Sequence, residues 1–435
     1  MWFCSTLAVV RPWRRAVGIV TGACVALALP LASAQAATAL TLEEAWRLAE
    51  AANPTLRSTH ARLSAAEGEL TDARSLLWNN PELSAERLRR SVPQPGLATE
   101  KQRDWSAGLA QTFEVAGQPG YRREAATQEL AGLQATLQET RRQVRAEIEQ
   151  RFVLVLALQM RIATEAEALK LVEDAAAAVR KRVAAGEDSR LDGNLAIVEA
   201  ERGRNQLAAL HEQLTEARVE LGSALQLVPD HLPEVAGNLM PATPRYSLEE
   251  LLATAGQRPQ LRALALREAA AAKRLGLERA AVYPDITVGV NVGREGPGEA
   301  REKLVGVSLS LPLPLFRRNA AGIGRATTEL TQAQIERQAA DRDIPAQVRA
   351  LWRNVESLHA RVKRLEDQVL VSLDQNQRLS VTAYRAGEIG LLQLIVVNRQ
   401  VLDGRRDLIE ARSNLRLSTI ALEAAAGWPA AGEER

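Results

Sequence analysis

The sequence repeats itself once over most of its length, and this duplication limits the possible folds more than any other feature. Thr41-Leu-Glu-Glu44 returns as Ser247-Leu-Glu-Glu250, and Ala185-Gly186-Glu187 returns as Ala386-Gly387-Glu388. From Ala185 to Leu221 the offset to the second copy is 201 residues without a gap. Solenoid repeats are only ~20 to 50 residues long. The sequence therefore predicts duplication of a whole structural unit.

Residues 1–34 are predicted to be a secretory signal peptide. Arg11, Arg14 and Arg15 precede an apolar run over 16–31, and small residues follow at 32–34. Basic, apolar and cleavage regions in this order are typical of such signals. The apolar run is shorter than the ~20 residues that a membrane-spanning helix needs. A lipid-attachment site at Cys24 is the alternative interpretation of this segment.

Composition narrows the classes of function. Cys4 and Cys24 both lie in the predicted signal, so disulfide and thiolate chemistry are not expected in the mature chain. Loss of the three signal arginines would change the net charge from +2 to −1, which argues against a nucleic-acid partner. No two histidines have His-x-x-x-His spacing, and no phosphate-binding loop or nucleophile elbow occurs. We therefore expect no enzyme, no cofactor and no metal site.

Each copy is predicted to contain a helix, a strand pair and a long helical hairpin. Thr41 with Glu44, and Ser247 with Glu250, form capping boxes that begin the first helix of each copy. Apolar residues then recur at steps of three and four over about 118–185 and 319–386, as on one side of a helix. The predicted first repeat is 38–232, with strands at about 80–115 and a hairpin at 118–228. The predicted second repeat is 245–428, with strands at about 283–314 and a hairpin at 319–427, before a tail at 429–435.

The long helices constrain the assembly. At 1.5 Å per residue, a helix of ~68 residues would be on the order of 100 Å long. An exposed apolar seam of that length must pack on another hairpin or another subunit. Pro345 is expected to kink or break the second long helix, because proline lacks an amide donor and clashes one turn back.

Two short stretches in each copy alternate with a period of two, as strands do. Ile286, Val288, Val290 and Val292 alternate with small or polar residues, whereas the stretch 82–90 alternates least. Tilted strands of ~9 to 11 residues with one apolar face span membranes in barrels, but a soluble hairpin packed on a helix would show the same period. A barrel needs ~8 strands, so four strands in a membrane would require several chains. A trimer would supply twelve strands.

Two turn segments and two strand-to-helix segments carry a resemblance. The turns are Arg182-Val-Ala-Ala-Gly186-Glu-Asp-Ser-Arg-Leu191-Asp192 and Tyr384-Arg-Ala-Gly387-Glu-Ile-Gly-Leu-Leu392-Gln393. With the duplicated hairpins, they resemble the TolC-type outer-membrane efflux proteins over residues 38–428. Two further segments are similar to those of the heavy-metal cation efflux branch, the CzcC-like proteins. They are Gln111-Thr-Phe-Glu-Val-Ala-Gly117-Gln and Leu311-Pro-Leu-Pro-Leu-Phe-Arg-Arg-Asn319-Ala-Ala-Gly-Ile323.

The resemblance implies a mainly α fold with a small β part. Three chains would combine their antiparallel hairpins into a periplasmic α-barrel, continuous with a twelve-stranded β-barrel in the outer membrane of a Gram-negative cell. The homotrimer would be the passive exit duct of a tripartite system, joined by a periplasmic adaptor to an inner-membrane RND pump. Heavy-metal cations would be its cargo. Organic toxins or drugs are an alternative cargo, and a soluble periplasmic coiled-coil adaptor is an alternative function.

The resemblance also assigns roles to the turns, which would meet the adaptor at the entrance of the duct. Gly186 and Gly387 would permit the reversals, while Leu191, Leu391 and Leu392 would offer apolar contacts to neighbouring subunits or to the adaptor. Four carboxylates would either favour cations at the entrance or complement helix dipoles: Glu187, Asp188, Asp192 and Glu388. The other residues assigned to the turns are Arg182, Tyr384, Arg385 and Gln393.

The two copies differ where the return helices begin. The first has Asp192-Gly193-Asn194, and Gly193 is expected to weaken the first turn of that helix. The second has an aliphatic run from Leu391 to Val397, interrupted by Gln393. The second turn is therefore predicted to be the stronger docking element.

Overall fold

The computed structural model describes residues 39–93, 95–96, 99–187, 189–228, 232–240, 246–296 and 301–429. All of these residues belong to one unit, Ala39–Arg435. The predicted signal peptide at 1–34, the turn residue Asp188 and the tail beyond Pro429 lie outside them. None of the described helices is both long enough and apolar enough to cross a membrane.

The two halves of the chain repeat one order of elements. The first half contains α1 (Leu42–Ala52), α2 (Pro54–Ala73), β1 (Glu82–Val92), β2 (Glu100–Phe113), α3 (Gln118–Ala185) and α4 (Arg190–Ala224). The second contains α5 (Leu248–Ala255), α6 (Pro259–Ala280), β3 (Ile286–Glu295), β4 (Glu302–Ser310), α7 (Ala320–Arg364), a π-helical segment (Leu365–Val369), α8 (Leu370–Arg385) and α9 (Leu391–Ala426). The predicted mainly helical fold with a small β part and two repeats is confirmed.

The helices that open each half begin as predicted but divide in two. Both capping boxes are formed, with Thr41 and Ser247 as the N-caps of α1 and α5. The predicted first helix ends at Ala52 in the first half and at Ala255 in the second, and a new helix begins at Pro54 and at Pro259. Helical geometry is disfavoured for the residue before a proline, whereas proline itself suits the first turn of a helix. In the first half the Asn53 side chain then accepts hydrogen bonds from the amides of Thr55 and Leu56 and starts α2.

Pro345, which is predicted to kink or break the second long helix, does not break it. Helix α7 continues through Pro345, and Ile344 and Val348 on either side are buried. Their packing offsets the lost backbone hydrogen bond. The long helix instead changes to π geometry at Leu365–Val369, between about five and six turns further on. Helix α3, the equivalent in the first half, runs for 68 residues without such a change.

Helix α3 makes contacts that connect the two halves. It packs against α2 and α4 of its own half and against α6 and α9 of the other. Three carboxylates along α3 pair with arginines of the second half: Glu139 with Arg258, Glu149 with Arg416, and Glu165 with Arg406. Burial raises the pKa of the Glu149 carboxyl despite the opposing charge of Arg416. These pairs fix the register of one half against the other.

The four strands form one antiparallel sheet in the order β1-β2-β3-β4. Within the described part of the chain, β1 and β4 are the edges of this sheet. The helices attach at one end of the sheet, beside Glu82, Phe113, Ile286 and Ser310. The β1–β2 and β3–β4 loops lie at the other end, which we call the distal end.

The register separates the sheet into two different faces. One row across the strands is Leu83, Leu109, Val290 and Val307, and the next on the same face is Ala85, Ala107, Val292 and Val305. We call this the apolar face. The row between them, on the opposite or polar face, is Ser84, Gly108, Asn291 and Gly306. The large side chains of the apolar face are exposed in the single chain.

Candidate functional site at the helical turns

Both hairpins reverse through the same backbone geometry. Gly186 has φ +79° and Gly387 has φ +75°, values that glycine adopts without steric cost. The amide of Glu187 donates to the Arg182 carbonyl, and the amide of Glu388 donates to the Ala383 carbonyl, both at 2.9 Å. This pattern is the Schellman motif, which satisfies the last carbonyls of a helix. The predicted role of the two glycines in the reversals agrees with this geometry.

The return helices begin differently. Ser189 caps α4, accepting a hydrogen bond from the Asp192 amide at 3.1 Å, and its hydroxyl lies 2.6 Å from Asp192 Oδ2. Gly390 precedes α9 and has no side chain with which to cap it. Gly193 is helical and buried, and a Cβ there would lie 3.4 Å from Val183 Cγ2. Gly193 therefore also lets α4 pack closely against the end of α3.

An apolar cluster joins the two turns within the chain. Ala176, Val179, Ala196 and Leu391 are buried together, with Val183, Tyr384 and Ile395 packed against them. Leu391 is only 8% exposed. It was expected to contact other subunits or the adaptor, but its position at the start of α9 directs it into this intrachain cluster. Tyr384 also packs here and ties the second turn to the first.

The equivalent leucines Leu191 and Leu392 remain on the surface. They are 66% and 56% exposed, respectively. Leu392 and Gln393 line a shallow, largely apolar groove between α8 and α9, together with Leu379 and Val396. The exposed Arg385 lies at the end of α8 beside this turn. The second turn therefore presents an apolar surface at the place where the sequence predicts docking.

The charged residues of the turns are partly engaged within the chain. The Glu187 carboxylate lies 3.7 Å from Arg182 Nε, and the Asp192 carboxylate accepts a hydrogen bond from the Ser189 hydroxyl. Asp192 also lies in the first turn of α4, where a carboxylate complements the helix dipole. Glu388 is exposed. In the described ranges, no three His, Cys, Asp or Glu residues come together as a metal-binding group.

Sequence reasoning missed a separation of charge on the sheet. All six acidic residues of the four strands lie on the polar face. They are Glu82, Glu86, Glu100, Asp104, Glu295 and Glu302. The signal within each strand is that acids fall out of phase with the apolar residues. To assign residues of different strands to the same face of the sheet, the register between the strands must also be known. Alternation within each strand does not give that register.

Comparison with known proteins gives consistent matches over both halves. The family model described as outer membrane efflux protein matches residues 45–225 and 252–428. The cobalt-zinc-cadmium resistance protein CzcC of Cupriavidus metallidurans is 30% identical, over 88% of this chain and 87% of that protein. The nickel-cobalt-cadmium resistance protein NccC of Alcaligenes xylosoxydans is 26% identical, over 75% of each.

Solved structures share the fold. The outer membrane protein VceC of Vibrio cholerae superposes with a TM-score of 0.73 at 21% identity, covering 89% of this chain and 96% of that one.

Proposed function

The chain belongs to the outer membrane efflux protein family, and on that premise we propose that it is the passive exit duct of a tripartite system exporting heavy-metal cations. An inner-membrane pump of the RND type would supply the energy, and a periplasmic adaptor would connect the two. The chain itself would catalyse no reaction. Family membership gives an outer-membrane location, so the alternative of a soluble periplasmic adaptor is not retained.

The observation that carries the choice of cargo is the similarity to CzcC, whose name states cobalt, zinc and cadmium resistance. The charge of the sheet supports it independently. If the apolar face meets lipid, the polar face with its six carboxylates lines the duct. Carboxylates along a pore favour cations over anions. A duct for anionic organic compounds would gain nothing from this arrangement.

The edges of the sheet support a homotrimer. Unpaired backbone groups are not tolerated in hydrocarbon, and one chain supplies only four strands. Because β1 and β4 run in opposite directions, β4 of one copy can pair antiparallel with β1 of the next. Three copies would then supply twelve strands, within the range of known membrane barrels. The hairpins of the three copies would pack side by side and bury their exposed apolar side chains.

We assign adaptor docking to the surface of the two turns. In the second turn the docking residues would be Leu392, Gln393, Arg385 and Glu388, with Leu191 as the counterpart in the first. Arg182, Glu187, Asp188 and Asp192 would border the entrance. Leu391 and Tyr384 would act from within, by holding the two turns together. Gly186 and Gly387 would set the position of both surfaces.

The cargo is tested in a host strain from which the gene has been deleted. Growth is compared on zinc, cobalt, cadmium, copper and a set of small organic toxins. We expect hypersensitivity to divalent metals, reversed by the intact chain. Sensitivity to the organic compounds alone would overturn the metal proposal and favour the same duct with an organic cargo.

The role of the polar face needs a matched pair of variants. Replacing the six strand acids by glutamine should reduce the restored metal resistance while the protein still reaches the outer membrane. Arg90→Gln is the control, since Arg90 is on the same face and its loss makes that face more negative. Equal loss of resistance in both variants would show that the charge of the polar face has no part in export.

A further inference from the structure

Most basic residues of the sheet lie on the face opposite to the one that carries its acidic residues. The four strands contain seven arginine and lysine residues, and six of them lie on the apolar face. These six, which we call the basic band, are Arg87, Arg89, Lys101, Arg103, Arg294 and Lys303. The seventh, Arg90, lies on the polar face, 3.8 Å from Asp104.

The basic band occupies one end of the apolar face. Arg87, Trp105, Arg294 and Lys303 form one row across all four strands, adjacent to the apolar row that contains Ala107. The remaining members lie further toward the distal end. All six side chains are exposed, and none has an ion-pair partner among the residues that the structure describes. Nothing within the described chain neutralises this band.

Ordinary solvation does not account for the band. Charged residues that merely extend into water at strand ends would be expected on both faces with mixed signs. Here no strand acid lies on the apolar face at all. This separation of charge indicates that the apolar face, at its distal end, contacts an environment that favours positive over negative side chains.

The length of β2, carried to the other strands by their register, places the band at a membrane boundary. Strand β2 has 14 residues, whereas ~9 to 11 are enough to cross the hydrocarbon. Its distal residues would therefore extend past the apolar rows into the headgroup region. Trp105 lies in the row of the band that is next to the apolar rows, and tryptophan is enriched at this interface in membrane proteins.

We propose that the basic band binds the phosphate groups of anionic lipids in the leaflet at the distal end of the sheet. Arginine suits this partner, because its planar guanidinium matches phosphate oxygens with paired hydrogen bonds. Three copies would present the band around the circumference of the barrel. The inference rests on the proposed function only in placing the sheet in a membrane.

The test measures lipid retained by the full-length protein. The protein is reconstituted into vesicles of phosphatidylcholine alone or mixed with phosphatidylglycerol, extracted into detergent, and weighed with its bound lipid by native mass spectrometry. Each basic residue near an anionic surface contributes roughly a fivefold preference. We expect the triple variant Arg87→Gln, Arg89→Gln, Arg103→Gln to lose the preference for the anionic lipid by about tenfold or more.

Two neighbouring residues supply the matched control. Arg89→Gln removes a charge from the apolar face, and Arg90→Gln removes the next charge along β1 from the polar face. We expect Arg89→Gln to weaken retention of phosphatidylglycerol and Arg90→Gln to leave it unchanged. Equal effects of the two, or wild-type retention in the triple variant, would overturn the proposal.

Salt dependence tests the proposal without any variant. The Debye length falls from ~30 Å at ~0.01 M salt to ~3 Å at ~1 M, so the intact protein should lose its preference for phosphatidylglycerol over this range. A preference that salt does not change would contradict binding by charge. Absence of the protein from the outer-membrane fraction would instead contradict the proposed function, so the two failures are distinguishable.

Discussion

The two hairpin turns have nearly the same backbone but different side chains at equivalent positions. Both contain a glycine of positive φ and the same amide-to-carbonyl hydrogen bond. At the offset of 201 residues, Gly193 of the first turn corresponds to Leu394 of the second. Both positions are buried, one by close helix packing and the other by a large side chain. The reversal is thus common to both copies, while the packing behind it has diverged.

The long helices that precede the two turns differ as well. Helix α3 is continuous and carries the three carboxylates that bind the second half. Its counterpart changes to π geometry at Leu365–Val369 before it reaches Gly387. A π segment breaks the regular ladder of helical hydrogen bonds and often marks a functional position. The first hairpin therefore holds the two halves together. We expect substitutions in the second hairpin to have the larger effect on function.

The largest expected effect is that of Gly387→Pro. Proline fixes φ near −65° and removes the amide that donates to the Tyr384 carbonyl, so the turn loses at least ~3 kcal/mol locally. We expect export to be abolished while trimers still form, because the sheet and the three ion pairs between α3 and the second half lie outside the turn. Metal resistance and the mass of the extracted assembly are the two measurements.

Gly186→Pro is the matched control for the comparison. It introduces the same backbone conflict in the first turn, where the predicted docking surface is weaker. We expect a smaller loss of resistance than with Gly387→Pro. Normal resistance in the Gly387 variant would show that the second turn does not dock the adaptor.

A smaller effect is expected where the two turns differ in packing. Leu394→Ala should destabilise the second turn by about 2 kcal/mol, since it leaves a cavity among buried side chains. Gly193→Ala should instead stabilise the first turn by up to ~1 kcal/mol, because alanine favours the helix and its methyl group would make an ordinary contact with Val183. Hydrogen exchange of the amides in each turn measures both changes. The same sign in the two variants would contradict the difference in packing.

The smallest effect concerns the caps of the return helices. Ser189→Ala should cost ~1 kcal/mol, since the Asp192 amide loses its acceptor. Gly390→Ser should add a few tenths of a kcal/mol in the second turn, because Gly390 already has extended N-cap geometry. Thermal unfolding of the detergent-extracted protein, with hydrogen exchange at the turns, would detect the opposite shifts. Destabilisation by Gly390→Ser would mean that the site cannot accept a cap.

Local chemistry explains which parts of the fold the sequence predicts well. Capping boxes at Thr41 and Ser247, and glycines at Gly186 and Gly387, act through neighbouring residues, so their patterns are visible in the chain itself. Because of the duplication, the sequence pattern of each element occurs twice in the chain, and each copy supports the prediction made from the other. The family match over both halves and the mainly helical fold agree with these local signals.

Features that depend on distant contacts were not predictable in the same way. Pro345 is tolerated because Ile344 and Val348 are buried around it, and no local rule states this. The burial of Leu391 depends on Ala176 and Val179 of the other hairpin. The π segment has no sequence signal that we recognise. The turn residues assigned to docking remain predictions, since a single chain contains no partner.

The central claim is that three copies close one barrel through the edges of their sheets, and disulfide trapping tests it most directly. With Cys4 and Cys24 in the predicted signal peptide, the mature chain offers a cysteine-free background. Ser84→Cys in β1 is combined in turn with Gly306→Cys, Ser308→Cys or Ser310→Cys in β4. We predict that one combination gives a covalent trimer under oxidising, denaturing conditions. Monomers from all three combinations, or ladders that continue beyond three chains, would contradict the claim.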